Sequence, residues 1–201
     1  MAESESMRLE AIVLAAGAGR RFGGRKLRAP FEGRPLIAGA LDAAFAAPVR
    51  RVWLTTDGDS ELAAIARDQA QSRGRERDLE VIVVAAAAEG MGASLRTAVA
   101  ALPADAAGAF VFLGDMPRIP AGLAQTLAEA LAPDFDAAAP RFKGRRGHPV
   151  LFGRACFPAL LALRGDVGAR EALASLGERL VLVDCADDGA LFDIDRPEDL
   201  T

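Results

Sequence analysis

Strand-like and helix-like patterns alternate along the first two thirds of this chain, and that alternation restricts the fold more than any other feature. Glu10–Ala15, Val49–Thr56, Leu79–Val84 and Gly108–Gly114 are short apolar runs of strand length. A helical pattern follows each of them. Pro35–Ala46 carries Leu36, Ala40 and Leu41 at helical spacing, and a second helix runs from a cap at Asp59 or Ser60 to about Arg73. Met91–Ala101 and Pro120–Leu131 are the third and fourth helices, the last with proline at its start. Repeated strand–helix units imply parallel strands, right-handed crossovers and helices on both faces of the sheet. The unbroken run Ala109-Phe110-Val111-Phe112-Leu113 has no polar face, so this strand is expected at the sheet centre. The remainder is less regular. Phe135–Pro140, His148–Phe152 and Leu180–Asp184 read as strands, Phe157–Leu163 and Ala169–Leu176 as helices, and a short helix starts in Arg196–Leu200.

The expected architecture is α/β, a single domain over residues 1–201 with a mostly parallel central sheet. At 201 residues and 51% hydrophobic content the chain can bury a sizeable core. Its net charge of −4 argues against a general nucleic-acid binder, which would be basic. Cys156 and Cys185 lie far apart without metal-ligand spacing and are expected to be free thiols in a reducing compartment. No apolar run is long enough to span a bilayer, and Met1–Glu10 lacks the apolar core of a secretory signal, so a cytoplasmic protein with no membrane partner is expected.

The stretch from Ile12 to Lys26 is where chemistry is expected. A buried strand ends at Gly17, and the loop that follows interleaves glycines with Arg20, Arg21, Arg25 and Lys26. Glycines let backbone N–H groups approach an anion, and the cations add full charge. The stretch therefore reads as a phosphate-binding loop. It is not the dinucleotide fingerprint, whose third glycine is replaced by Phe22, and not a P-loop, because Lys26 is followed by Leu27. Ligands of open parallel sheets bind beyond the C-terminal strand ends. Asp115, at the end of the fourth strand, can share a pocket with this loop. On residues alone it is either a turn former before Pro117 or a ligand for a hard cation.

Leu14, Ala15, Ala16, Gly17, Gly19, Arg21, Gly23 and Lys26 match in order a Leu-Ala-Ala-Gly-x-Gly/Ser-x-Arg-x-Gly-x-x-Lys signature. In this the chain resembles the glycosyl- and nucleotidyltransferase-type Rossmann enzymes. Later segments agree: Glu89–Arg96, Gly114–Pro117, Gly147–Phe152, Gly165–Arg170 and Asp193–Leu200. Together they make the chain most similar to the molybdenum cofactor cytidylyltransferases and their MobA-like relatives. The resemblance implies a Rossmann-like nucleotidyltransferase fold, with a nucleotide-binding part in 1–132 and an acceptor-binding and C-terminal part in 133–201. It implies Mg²⁺-dependent transfer of CMP from CTP to the phosphate of molybdopterin, a phosphorylated pterin, with release of pyrophosphate, and a molybdoenzyme receiving the product.

The same resemblance assigns roles. Arg21, Lys26 and Asp115 would be catalytic, with Asp115 and Asp195 holding the metal. Leu14, Ala15, Ala16, Gly17, Gly19, Arg21 and Lys26, together with Gly90, Gly92 and Ser94, would bind the nucleotide. His148, Pro149, Asp166, Gly168 and Arg170 would face the acceptor. Asp193 shares a strand face with Asp195 and is the alternative second ligand. Asp195 also suits a helix cap before Arg196-Pro197, and Arg196 stands where relatives commonly have threonine. His148, the only histidine, and the basic turn Arg141–Arg146 are equally compatible with structural or solvated roles. Trp53 reads as core. Ala16, where the guanylyl branch tends to carry glycine, leans toward CTP. The alternatives are GTP, an isoprenoid-precursor or sugar phosphate acceptor, or a non-catalytic nucleotide- or cofactor-binding chaperone for a molybdoenzyme.

Overall fold

Eight strands form one continuous sheet that puts the C-terminal ends of two of them side by side. The structure is a computed structural model that describes residues 8–17, 22, 25–164 and 169–200. Its strands are β1 (Leu9–Leu14), β2 (Pro30–Phe31), β3 (Arg34–Pro35), β4 (Val52–Thr56), β5 (Leu79–Val83), β6 (Gly108–Leu113), β7 (Ala137–Phe142), β8 (Arg145–Arg146), β9 (Val150–Gly153) and β10 (Leu180–Asp184). Its helices are α1 (Ile37–Ala46), α2 (Ser60–Gln71), α3 (Met91–Ala101), α4 (Leu123–Ala130), α5 (Phe157–Leu161) and α6 (Arg170–Ser175). The sheet order is β10-β7-β9-β6-β1-β4-β5, with β8 paired to β7, while β2 and β3 form a separate two-stranded hairpin. The fold is thus the expected Rossmann-like α/β class, mostly parallel, with β6 in the middle.

Strand periodicity explains the two-sided core. Along β1, Leu9, Ala11 and Val13 pack with α1, α2 and α4, whereas Ile12 and Leu14 pack against α3, α5 and α6. β6 divides the same way, Phe110 and Phe112 to one side and Ala109 and Val111 to the other. That is why it has no polar face. Asp59 caps α2, its side chain accepting from the Leu62 N–H at 3.0 Å.

The structure corrects several boundaries. Pro35 belongs to β3, not to α1, and Val49–Arg51 lead into β4 as loop. α4 starts three residues beyond Pro120, after Gly122 in the left-handed region at φ 77°. β9 runs antiparallel to both β6 and β7, a direction that periodicity does not encode. The chain ends in a 3₁₀ turn over Pro197–Leu200, not an α-helix. Trp53 is core as expected, but its indole N–H also donates to Glu10 Oε2 at 3.0 Å. No helix among the described residues is long and apolar enough to cross a membrane.

Candidate active site

Register puts the loop and the first carboxylate together. β1 and β6 are neighbours, and Leu14 pairs with Leu113, so the chain leaves both strands at one level. Leu14 runs on into Ala15, Ala16 and Gly17, while Leu113 runs on into Gly114 and Asp115. The Gly114 N–H donates to the Leu14 carbonyl at 3.0 Å, and a β-carbon at Gly114 would sit 3.0 Å from that same oxygen. From the other flank β4 pins the loop: the Ala15 N–H donates to Thr55 Oγ at 3.2 Å, and Thr55 is fully buried. Thr55 was not singled out by its sequence context, because a threonine inside a strand is ordinary.

Lys26 stands at the centre. Arg25 adopts left-handed backbone, φ 56°, and turns the chain into the 3₁₀ turn Lys26–Arg28. The Lys26 ammonium then lies 2.8 Å from Asp115 Oδ2 and 3.4 Å from Asp195 Oδ1. The lysine side chain is 10% exposed and that of Asp115 27%. Asp195 arrives from the far end of the chain. Ile194 is fully buried against Phe31 and Leu36, and its N–H donates to the Asp115 carbonyl at 3.1 Å. Asp199 accepts from the N–H groups of Asp195 and Arg196 at 3.0 and 2.8 Å. The capping task at this turn thus falls to Asp199, and Asp195 directs an oxygen at Lys26. Asp193 is close by. Loss of hydration in this corner, then the Asp195 and Asp115 carboxylates, push its carboxyl above the usual range, although part of its surface reaches solvent.

A cleft of about 570 Å³ opens over these groups, within the size range of small-molecule sites. Its walls include Leu14–Gly17, Lys26, Asp115, Asp195, and Gly90, Met91 and Ser94 at the start of α3. Gly90, at φ 113°, holds a backbone only glycine adopts easily, and α3 presents its positive end to the cleft. Gly92 is buried within that first turn. The sequence reading missed Phe22, Arg28, Asp57, Asp59 and Glu89, which also line the cleft. Arg28 pairs with Asp59 at 3.1 Å and with Glu61, so it ties the loop to the N-terminus of α2. Only proximity in the folded chain marks these residues.

The donor set suits a hard cation. Asp115 and Asp195 offer carboxylate oxygens around a position already held by a positive group. Among the described residues no group of three or more ligating side chains is assembled, so any metal here would take its remaining ligands from phosphate or water, as Mg²⁺ habitually does.

The acceptor residues are not gathered in the same way. His148 and Pro149 follow the buried Gly147, whose added β-carbon would lie 2.2 Å from the Ala190 carbonyl oxygen. The His148 N–H donates to that oxygen at 2.9 Å, and its Nδ1 lies 3.4 Å from the Val111 carbonyl. Neither residue is part of the cleft wall, and neither is Arg170 at the start of α6. Gly19, Arg21, Asp166 and Gly168 lie outside the described residues. Burial pushes the His148 imidazole below its ordinary value, against the opposing pull of the Val111 carbonyl and Asp115. A histidine kept neutral in the fold resists a proton that the unfolded chain accepts below about pH 6.5. Its contribution to stability is therefore complete above that pH and declines as pH falls toward the depressed value. Thermal melts from pH 7 to 5 are expected to show a shallower decline in His148→Gln than in the wild type; equal slopes would contradict the assignment.

One helix residue guards the Asp115 turn. A β-carbon at Gly39 in α1 would lie 2.0 Å from the Pro117 carbonyl oxygen. Alanine gains about 1 kcal/mol of helix propensity over glycine, but overpacking costs roughly 1–3 kcal/mol. A contact this short against backbone belongs at the upper end. Gly39→Ala is expected to lose about 2 kcal/mol in denaturant titration and to lower activity by displacing Asp115. A variant as stable and active as wild type would show that the turn is not held by this contact.

A family model described as a MobA-like NTP transferase domain matches residues 11–180. The chain belongs to this family. Among similar proteins, the purine catabolism protein PucB of Bacillus subtilis (strain 168) is 31% identical over 191 residues, covering 94% of this chain and 92% of PucB. The nicotine blue oxidoreductase of Paenarthrobacter nicotinovorans is 27% identical, covering 94% of this chain and 93% of that protein. Among solved structures, Rv0371c from Mycobacterium tuberculosis H37Rv superposes with a TM-score of 0.75 at 28% identity, over 96% of both chains. The same protein in complex with manganese gives 0.71 at 27%, over 96% of this chain and 95% of the other.

Proposed function

We propose that this protein is a cytoplasmic, magnesium-dependent cytidylyltransferase that moves CMP from CTP onto the phosphate of molybdopterin and releases pyrophosphate. The observation that carries the reading is the convergence of Lys26, Asp115 and Asp195 in one cleft lined by Leu14–Gly17. An acceptor phosphate oxygen attacks the α-phosphorus; a new P–O bond forms as the bond to the β-phosphate oxygen breaks and pyrophosphate departs. A phosphate monoester is already anionic near neutral pH, so no general base is needed. This agrees with His148, whose imidazole desolvation pushes below its ordinary value, and with Cys156, whose thiol burial pushes up to about 11. The protein's task is alignment and cancellation of charge. The backbone N–H groups of Ala16 and Gly17, the Lys26 ammonium and the start of α3 would hold the triphosphate. Asp115 and Asp195 would hold Mg²⁺, whose chemistry is to neutralise charge building on the phosphate oxygens. The manganese complex of Rv0371c supports a divalent-ion site in this family.

Base and acceptor rest on finer features. Ala16 supports cytidine over guanosine, and the Gly147-His148-Pro149 and Gly165–Arg170 segments support the pterin phosphate. Xanthine is a purine, so a relative named for purine catabolism is consistent with a product meant for hydroxylases of the xanthine dehydrogenase type. The oxidoreductase name of the second relative is not carried over, since Phe22 breaks the dinucleotide fingerprint in this chain.

Thermal-shift measurements with CTP, GTP, ATP and UTP, each with Mg²⁺, test the reading. At 100 times its dissociation constant a ligand adds about 2.7 kcal/mol of stability, and that gain is expected with CTP. A GTP-selective shift would change the base and keep the transfer. No shift with any nucleotide would overturn the proposal.

A further inference from the structure

Among the described residues, the Lys26 ammonium lies between the Asp115 and Asp195 carboxylates, at 2.8 and 3.4 Å. We infer that Lys26 keeps the metal position closed until a triphosphate arrives, so that the ligand admitted is the metal–nucleotide complex and not the free ion. The inference rests on the proposed assignment of Asp115 and Asp195 as metal ligands. Mg²⁺ must sit about 2.0–2.1 Å from carboxylate oxygens. A positive charge already seated among the same oxygens opposes it directly. For the ion to enter, the ammonium must leave. Its side chain is only 10% exposed, so leaving without a new anionic partner strands a poorly hydrated charge. Asp59, another carboxylate of the cleft wall, is already engaged by Arg28. A triphosphate supplies the missing partner, and the flexible four-carbon stem of lysine lets the ammonium follow the phosphates. Metal and nucleotide then strengthen each other's binding by the same factor, as linkage requires.

The sign of one substitution separates this role from a structural one. If Lys26 merely braces the two carboxylates, removing its charge loosens them and weakens metal binding. If it holds the metal position closed, removing its charge strengthens binding of the ion alone. The test is titration of the full chain with Mn²⁺, with free ion followed by electron paramagnetic resonance, without nucleotide and with saturating CTP or GTP. Wild type is expected to bind Mn²⁺ weakly alone and roughly tenfold or more tighter with nucleotide. Lys26→Met and Lys26→Gln, used together in case one fails to fold, are expected to bind Mn²⁺ alone more tightly than wild type, with little further gain from nucleotide. Unchanged or weaker Mn²⁺ binding in both overturns the inference. Asp115→Asn distinguishes the two failures. If it abolishes nucleotide-dependent Mn²⁺ binding while the Lys26 variants gain nothing, the metal assignment stands and only the exchange is wrong. If it leaves Mn²⁺ binding intact, the metal assignment fails and the inference with it.

Discussion

Asp115→Asn is expected to reduce turnover by roughly two to three decades while leaving the protein folded, a barrier increase of about 3–4 kcal/mol. The size follows from what the carboxylate does in the proposed reaction. It would hold the divalent ion in a cleft walled by β1, β6 and α3, where the ion's contact to a reacting phosphate is worth far more than in bulk water. Tolerance of the fold follows from the local structure. The side chain is 27% exposed and its partner is the Lys26 ammonium. The main-chain contribution, the carbonyl accepting from Ile194, survives the substitution. A partly exposed ion pair contributes no more than about 1 kcal/mol to stability. Pyrophosphate release and a thermal melt on one preparation check both halves. Turnover within tenfold of wild type would remove Asp115 from the mechanism, and a collapsed melt would mean that its role is structural.

Glu10→Ala is expected to produce the opposite pattern, a large loss of stability without damage to the site. Glu10 is 0% exposed in β1, seven residues before Gly17. Its Oε2 accepts from the Trp53 indole at 3.0 Å, and its Oε1 accepts from Arg50 Nε at 2.9 Å. Arg50 continues to Asp105 through two contacts of 2.9 and 3.0 Å. The network sits at the N-terminal end of the strands, away from the cleft. Removal leaves the Trp53 indole N–H without its buried acceptor and opens a cavity, at a cost of about 3 kcal/mol; Arg50 is 37% exposed and keeps Asp105. For a chain of this size that corresponds to a fall in Tm of about 10 °C. The surviving folded fraction is expected to keep the wild-type kcat/KM. A denaturant titration showing less than about 1 kcal/mol of loss would contradict the account of this corner.

The contrast between these two acids shows what a sequence reveals. Asp115 was legible because it ends an apolar strand, the place where α/β sheets present their chemistry. The place of Leu14–Gly17 at the end of β1 was legible for the same reason, and so was the central position of β6, since a strand without a polar face must be covered twice. The bounds of α3 and β10 follow from uninterrupted local patterns at both ends. Glu10 is a charge in an apolar strand, and its partners Arg50 and Trp53 are forty residues away, so nothing local announces the network. Gly39 is similar: a glycine in a helix looks like a weak point until Pro117, on another element, is seen to need the space. The β2–β3 hairpin was hidden because its strands are two residues each and Pro35 reads as the start of a helix. The antiparallel course of β9 was hidden because side-chain alternation is the same in either direction. Within the site, Asp195 was nameable only through the resemblance. Its delivery by the buried Ile194 and the release of its carboxylate by Asp199 are matters of packing.

The central claim is that this cleft transfers a nucleotidyl group. Its most direct test is to incubate the protein with CTP, Mg²⁺ and molybdopterin and measure pyrophosphate, orthophosphate and the acceptor mass together. The account predicts one pyrophosphate for each acceptor gaining a CMP unit, no orthophosphate, and dependence on the divalent ion. Orthophosphate in place of pyrophosphate, or pyrophosphate with no nucleotidylated acceptor for any of the four nucleotides, would contradict it.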